Sequence, residues 1–349
     1  MVGIEAMPRY FLDIPENSAP VPWDPHSGPR PERADTRYFG VVFREMERSL
    51  HDPEIDVHLT WDPDRLPGYG NRVVAVLLGD EVGRIPRYVG RVRAVFKCYG
   101  TRPTLGTGPL RARGLTGLVN GAQYAVRWMR WLPGGAAHAR LLLSRKLRGR
   151  PAPPAVGVIP LGTFNLLDLP LVPIDERPTH LFFAGSVEHR ASLRHRLGSP
   201  KTRARSEMLA AVERLGRRRP DLRIDVRLMP GFDASAAAPG VDYSQALMNA
   251  RICLAPRGTS VETFRVFEGL RSGCVVVGER LPPHWFYRGG PVIQLDRWSR
   301  LEDELGPLLD DPAELRRRHV RALAWWRDHC SEAAVGRFLA EHLNATVGI

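Results

Sequence analysis

Cysteine is scarce in this 349-residue chain, and nothing in it is long enough to staple or span. Cys98, Cys253, Cys274 and Cys330 stand far apart, without a CxxC pair or histidines at zinc spacing. Neither a disulfide framework nor a zinc site is indicated, and a reduced cytoplasmic setting is expected. The longest apolar run, Val73–Leu78, falls far short of the ~20 residues of a membrane span. The N-terminus lacks the basic and apolar regions of a signal peptide. GxxxxGK[ST] is absent, which leaves a P-loop nucleotide hydrolase without support. GxGxxG is absent too, because the glycines at 105–108 and 133–135 do not fit it. Asp62-Pro63-Asp64 matches DxD only formally, with proline inside and no strand context, so no metal is proposed and no cofactor either.

Negative charge is missing from a long stretch. Between Val82 and Leu167 there is no Asp or Glu, while fifteen Lys and Arg run from Arg84 to Arg150, more than the whole net charge of +12. Three readings compete: a cleft wall facing a diphosphate or anionic acceptor, a face resting on anionic lipid, and a nucleic-acid surface. Nucleic acid is the least favoured, since no helix-turn-helix, zinc finger or RNA-binding aromatic motif accompanies the charge. The plain alternative is a general arginine bias, visible also at 217–219 and 316–318.

What is present reads as alternating strand and helix. Residues 1–35 are proline-rich, with one strand near Tyr10–Ile14 and otherwise the look of an extended arm. A helix follows at Arg37–Leu50, then strands at Ile55–Trp61, Arg72–Leu78 and Val92–Tyr99. The strand at 72–78 runs into Gly79-Asp80-Glu81, two carboxylates at the carboxyl end of a buried strand. They suit a general base in a cleft, and Asp80 equally suits a helix N-cap. His58 and Asp62 are fallback bases. Helices at Leu115–Leu132 and Ala136–Leu147 are separated by Pro133-Gly134-Gly135. The first carries Trp128, Met129 and Trp131 among arginines, a pattern that fits a membrane surface or core packing with wet Arg heads. Residues 148–156 read as a hinge.

From Thr179 to Leu295 the order is five strands alternating with helices, a doubly wound sheet. Gly185 and Ser186 form a turn after the strand 179–184, where backbone N–H groups can approach a phosphate, with Arg190 following as a candidate phosphate ligand. The helix Arg203–Arg218 is expected to expose its charged face. At the centre lies Ile252–Val277: a buried strand, a break at Pro256-Arg257-Gly258, candidate caps Thr259, Ser260 and Thr263, a helix closing at Gly273, and a second buried strand. Arg265 and Glu268 share one helix face beside the carboxyl end of the first strand, where open α/β sheets bind ligands. A cation and a carboxylate there suit the diphosphate and the ribose hydroxyls of a sugar nucleotide. His284, Trp285 and Tyr287 are candidates for contact with its base or sugar. A long helix, Glu314–Leu343, ends the chain.

The segment CLAPRGTSVETFRVFEGLRSGCVVV resembles the donor-site signature of exostosin-like glycosyltransferases. Pro256, Gly258, Arg265, Glu268, Gly273 and Cys274 match it, and Val276 stands where that family usually has proline. The similarity covers roughly residues 180–300. It implies a GT-B fold, two Rossmann-like α/β domains facing a cleft, with a C-terminal helix crossing between them. The expected domains are an arm (1–35), an acceptor domain (36–155), a nucleotide-sugar domain (156–320) and the crossing helix (321–349). It implies an inverting transfer from a nucleoside-diphosphate sugar to a glycan, lipid-linked or small-molecule hydroxyl. Arg265 would hold the diphosphate and Glu268 the ribose; Gly185, Ser186, Arg190, Arg257, Gly258, Thr259 and Ser260 would support the donor, and Asp80 or Glu81 would be the base. The competing reading is an inactive GT-B scaffold that binds a polyanion or a protein through the basic segment. A sugar-nucleotide epimerase on the same fold would need clustered carboxylates and histidines, which the sequence does not offer.

Overall fold

A computed structural model describes the chain except residues 1–6, 18, 31–32, 105–114, 148–154, 165, 187–198, 230–239 and 347–349. It holds two parallel-sheet α/β units, the architecture expected from the sequence. The N-terminal sheet has the order β2-β1-β3-β4-β5-β6, built from β1 (Arg9–Asp13), β2 (Val21–Trp23), β3 (Asp56–Thr60), β4 (Gly70–Leu77), β5 (Val92–Lys97) and β6 (Val156–Val158). Only the β1–β2 pair is antiparallel. Two boundaries therefore move. The segment read as an arm supplies two strands, and β6, placed in the second domain from sequence, closes the first sheet.

The second sheet has the order β11-β10-β9-β7-β8, all parallel, from β7 (Thr179–Gly185), β8 (Ile224–Leu228), β9 (Ala250–Ala255), β10 (Val275–Glu279) and β11 (Ile293–Leu295). The strand order reverses between β7 and β9, so a crevice opens beyond their carboxyl ends. β7, β9 and β10 are nearly continuous apolar runs because helices cover both faces.

Of the helices, α1 (Asp35–Glu47), α2 (Leu115–Leu147), α3 (Pro200–Arg218), α4 (Val241–Met248) and α5 (Phe264–Arg271) precede the C-terminal set α6 (Leu301–Leu309), α7 (Pro312–Trp325) and α8 (Glu332–Asn344). The two helices expected at 115–147 are one. Pro133 lies inside it, exposed and without an N–H to give the preceding turn, and Gly134 lies so close to Ile85 that a Cβ would sit 1.8 Å from its carbonyl oxygen. The helix expected at 314–343 is two, split by a π turn (Trp326–Cys330) and restarted at Ser331, whose hydroxyl accepts from the Ala334 N–H.

α5 ends in a Schellman motif. Gly273 has φ +69°, Cys274 N–H donates to Gly269 and Gly273 N–H to Leu270. α8 returns to the N-terminal unit, where Gly336 lies on Val42 and Met46 of α1, and Phe338 meets Phe96. One apolar core runs through both units. It joins Phe39, Phe43, Phe96, Tyr99 and Ile159 to Phe267, Phe286 and Tyr287. Among the described residues no helix is long and apolar enough to cross a membrane.

Candidate functional site

The carboxyl edges of the two sheets face each other. Gly100, just past β5, lies against His284 and Glu262 of the second unit, and the Trp285 indole donates to the Val158 carbonyl at 2.8 Å. At this seam Tyr99 holds a left-handed φ of 62°, a conformation that costs a non-glycine residue roughly 1–3 kcal/mol and that tight surroundings must enforce.

The crevice at the β7/β9 switch point is lined by cations. Arg265, from the first turn of α5, donates through Nε to the Ala184 carbonyl at 2.5 Å and lies over the Phe183 ring. It fills the space where residue 185 would carry a Cβ: that atom would be 2.3 Å from an Arg265 guanidinium nitrogen, so a side chain there would push the guanidinium out of its place. Gly185 thus makes room for a cation rather than for a phosphate. Arg205 of α3 donates to the carbonyls of Ser186 and Arg257. Lys201, one turn earlier, donates to the Ser186 hydroxyl at 3.3 Å. Neither Arg205 nor Arg265 forms an ion pair with a carboxylate among the described residues.

These charges press on one another. Burial, and then the neighbouring Arg265, hold the Arg205 guanidinium down to about 9. Burial, and then Arg205, hold the Lys201 ammonium down to about 8. Glu81, half-buried on the N-terminal unit, opposes both shifts, so its charge is felt at the cations. Arg127 of α2 lies nearby, depressed by burial and raised in part by Glu81.

Several residues expected in the site are elsewhere. Glu268 is 2% exposed and turned inward; its Oε1 accepts from the Phe164 N–H at 3.1 Å and its Oε2 from the Tyr243 hydroxyl at 2.6 Å. It fastens the segment crossing between the units to α4 and α5, and does not face the crevice as a ribose ligand would. Asp80 is enclosed as well. Its carboxylate meets Lys97 Nζ at 3.2 Å, with neither side chain exposed, and accepts from the Arg84 N–H and Nε. Burial lowers the Lys97 ammonium while Asp80 supports it. With no part of its side chain exposed, Asp80 is out of reach of an acceptor, which leaves Glu81 as the base candidate of the pair.

Arg257 is 1% exposed, and its guanidinium turns back on the carbonyls of Gly258 and Thr259. It shapes the loop rather than reaching a ligand. Ser186 is buried as the acceptor for Lys201, Thr259 is exposed, Gly258 half-exposed, and Ser260 accepts from the Glu262 N–H. Thr263 is the N-cap of α5 without a side-chain cap bond. Arg190 lies outside the described residues. His58 of β3 pairs through Nδ1 with Asp13 of β1 at 3.1 Å beneath the Phe11 ring.

Lys201 and Arg205 are the residues sequence reasoning missed. The signal was there: Ser199-Pro200 is a cap followed by a first-turn proline, and the Ser199 hydroxyl does accept from the Thr202 N–H. That start puts residues 201, 205, 208 and 212 on one face, so the two cations lie on the stripe that buries Met208 and Val212. A second omission is Glu262. It is 4% exposed, with Oε1 3.5 Å from His284 Nε2, and among the described residues its Oε2, that Nε2 and the nearby Tyr287 Oη make no hydrogen bond. Among the described residues no three His, Cys, Asp or Glu side chains gather as a metal site would require.

No protein-family profile matches the chain, and no curated protein matches it in sequence. Among solved structures, a GtfA/B complex is similar at 12% identity and TM-score 0.42 over 78% of this chain, which spans only 57% of that one. A UDP-N-acetylglucosamine 2-epimerase is similar at 11% identity and TM-score 0.37, covering 89% of this chain and 77% of the other. AviGT4, a glycosyltransferase involved in avilamycin A biosynthesis, is similar at 13% identity and TM-score 0.34, with 98% of each chain covered. These are loose likenesses of shape, and the functional reading rests on the chain's own residues.

Proposed function

We propose that the protein transfers a glycosyl group from a nucleoside-diphosphate sugar to a hydroxyl acceptor. The observation that carries this reading is the convergence of Lys201, Arg205 and Arg265 at the switch point of the second sheet, opposite Glu81 of the first. Arg205 and Arg265 meet no carboxylate among the described residues, and with Lys201 beside them they gather positive charge that suits an anion of several charges. A diphosphate meets that need, and the N-terminus of α5 adds N–H donors to the same place.

In this reading the donor's diphosphate lies against the cations, and its sugar projects toward the seam where Glu262, His284 and Tyr287 present polar atoms. Glu81 accepts the proton of the acceptor hydroxyl as its oxygen attacks the anomeric carbon. The bond from that carbon to the diphosphate oxygen breaks on the opposite face, so the configuration inverts. The departing charge is met by Arg265, Arg205 and Lys201, which is why the reaction is proposed to need no metal. The acceptor, a glycan, lipid-linked sugar or small molecule, would approach from the N-terminal unit.

Thermal unfolding with and without UDP, GDP and dTDP tests the donor half. A ligand at a hundred times its Kd stabilises a native protein by about 2.7 kcal/mol, a shift of several degrees. Stabilisation by one of these and not by its nucleoside supports the reading. No shift with any of them would reduce the protein to a scaffold without a donor.

A further inference from the structure

The outward face of α2 has no partner among the described residues. Along its length Leu118, Met129, Leu132, Leu143 and Leu147 are 73%, 59%, 58%, 58% and 78% exposed. Ala122, Ala125, Ala136 and Ala139 fill the intervals, all exposed, so the stripe is unbroken at helical spacing. The opposite face is already occupied: Trp131, Ala137 and Leu141 pack on Ile85, Tyr88 and Val89, and the Trp131 indole donates to the Thr101 carbonyl at 2.7 Å. A helix apolar on both sides, one of them open to water, has a second surface to cover. From Leu118 to Leu147 the stripe is ~45 Å long and follows one axis.

Charge decides what covers it. Arg130, Arg140 and Lys146 flank the stripe and are exposed, and no acidic residue occurs anywhere from 83 to 167. Two copies of this chain pairing through α2 would bring these cations together with no carboxylate in the segment to meet them. A flat, anionic surface with an apolar layer beneath answers both features. We propose that α2 docks in the plane of an anionic phospholipid bilayer, its leucines and Met129 in the acyl boundary and its Lys and Arg at the headgroups. The helix lies on the membrane and does not span it. This inference stands apart from the donor reading, and its test uses no turnover.

Flotation of the full chain with vesicles checks it. Vesicles of phosphatidylcholine mixed with phosphatidylglycerol should carry the protein, phosphatidylcholine alone should not, and concentrated salt should release it. The triple variant Met129→Glu, Leu132→Glu, Leu143→Glu alters only exposed positions, so its circular-dichroism melt should match the parent. Its vesicle-bound fraction should fall on the order of tenfold or more, because it puts charge where acyl chains would be. Absence of binding to anionic vesicles, equal binding to neutral ones, or undiminished binding by the triple variant would each overturn the proposal. So would a dimer in sedimentation velocity that the triple variant abolishes, because a second copy would then be the occupant.

Discussion

Replacing Arg265 by Met separates a ligand-binding cation from a structural one. Among the described residues the guanidinium makes one hydrogen bond, to the Ala184 carbonyl, and lies 5.2 Å from the centroid of the Phe183 ring. Losing that hydrogen bond costs about 0.5–1.5 kcal/mol, and losing the ring contact at a half-exposed site about 0.5–1 kcal/mol. Against this, the substitution removes a positive charge that presses on Arg205 and Lys201. The losses and the relief oppose each other, so the free protein should unfold within about 1 kcal/mol of the parent in a denaturant titration. A diphosphate, however, loses a charge-assisted hydrogen bond of about 1.5–3 kcal/mol, which is roughly 10–150-fold in affinity.

Calorimetric titration with the nucleoside diphosphate that stabilises the parent gives the affinity, and Arg205→Met with the double variant completes a cycle. Because one anion engages both cations, the second removal should weaken binding less than the first. Arg265→Met binding within twofold of the parent would refute the donor site. A loss of stability of about 3 kcal/mol or more would refute it differently, by showing that Arg265 is a brace for β7.

Lys201 gives a pH signature. In the free protein it titrates near 8, and a bound anion must raise that value, so donor affinity is full below about pH 8 and declines above it, by at most tenfold per unit; affinity unchanged from pH 7 to pH 9 would remove Lys201 from the site. Glu268→Ala should unfold the protein about 2–4 kcal/mol more easily in denaturant, because the Phe164 N–H and Tyr243 hydroxyl are left buried without their acceptor. Parental stability with lost donor binding would restore Glu268 as a ligand. The neighbours Asp80 and Glu81 should behave oppositely: Asp80→Asn leaves the Lys97 charge without its counter-ion and costs about 3–5 kcal/mol of stability. Glu81→Gln should keep the fold and the donor affinity while kcat falls roughly 10²–10⁴-fold, and an unchanged kcat would exclude Glu81 as the base.

The second sheet was legible because its strands are apolar runs punctuated by turn residues, and Gly273 ends α5 as its position after the last helical residue implies. The N-terminal sheet was legible in its middle and not at its ends. β2 is three residues long and contains Pro22, so it lacks the period that marks a strand, while Val156–Pro160 reads as a short strand whose sequence does not say which sheet it joins. The site was half legible. Spacing placed Arg265 and Glu268 on one face of α5, but a helix face does not say which of its residues meets solvent and which meets another segment. Phe164 and Tyr243, distant in sequence, decided that for Glu268. Asp80 and Glu81 were indistinguishable until Lys97, arriving from β5, claimed one of them.

These reassignments have a common cause in the shared core. Glu268 ties the crossing segment to the second unit, Trp285 reaches the β6 carbonyl, and Tyr38 of α1 donates to the Cys330 carbonyl at 2.6 Å beneath Trp326. With Phe96, Tyr99, Phe267 and Phe286 packed in one continuous apolar cluster, rotation of one unit against the other would expose aromatic surface and break buried hydrogen bonds. A seam held this firmly keeps Glu81 opposite the cations before any ligand arrives. It also explains why several polar residues near the crevice serve the joint rather than a substrate: the positions that align the two sheets are the same ones a sequence pattern marks as facing between them.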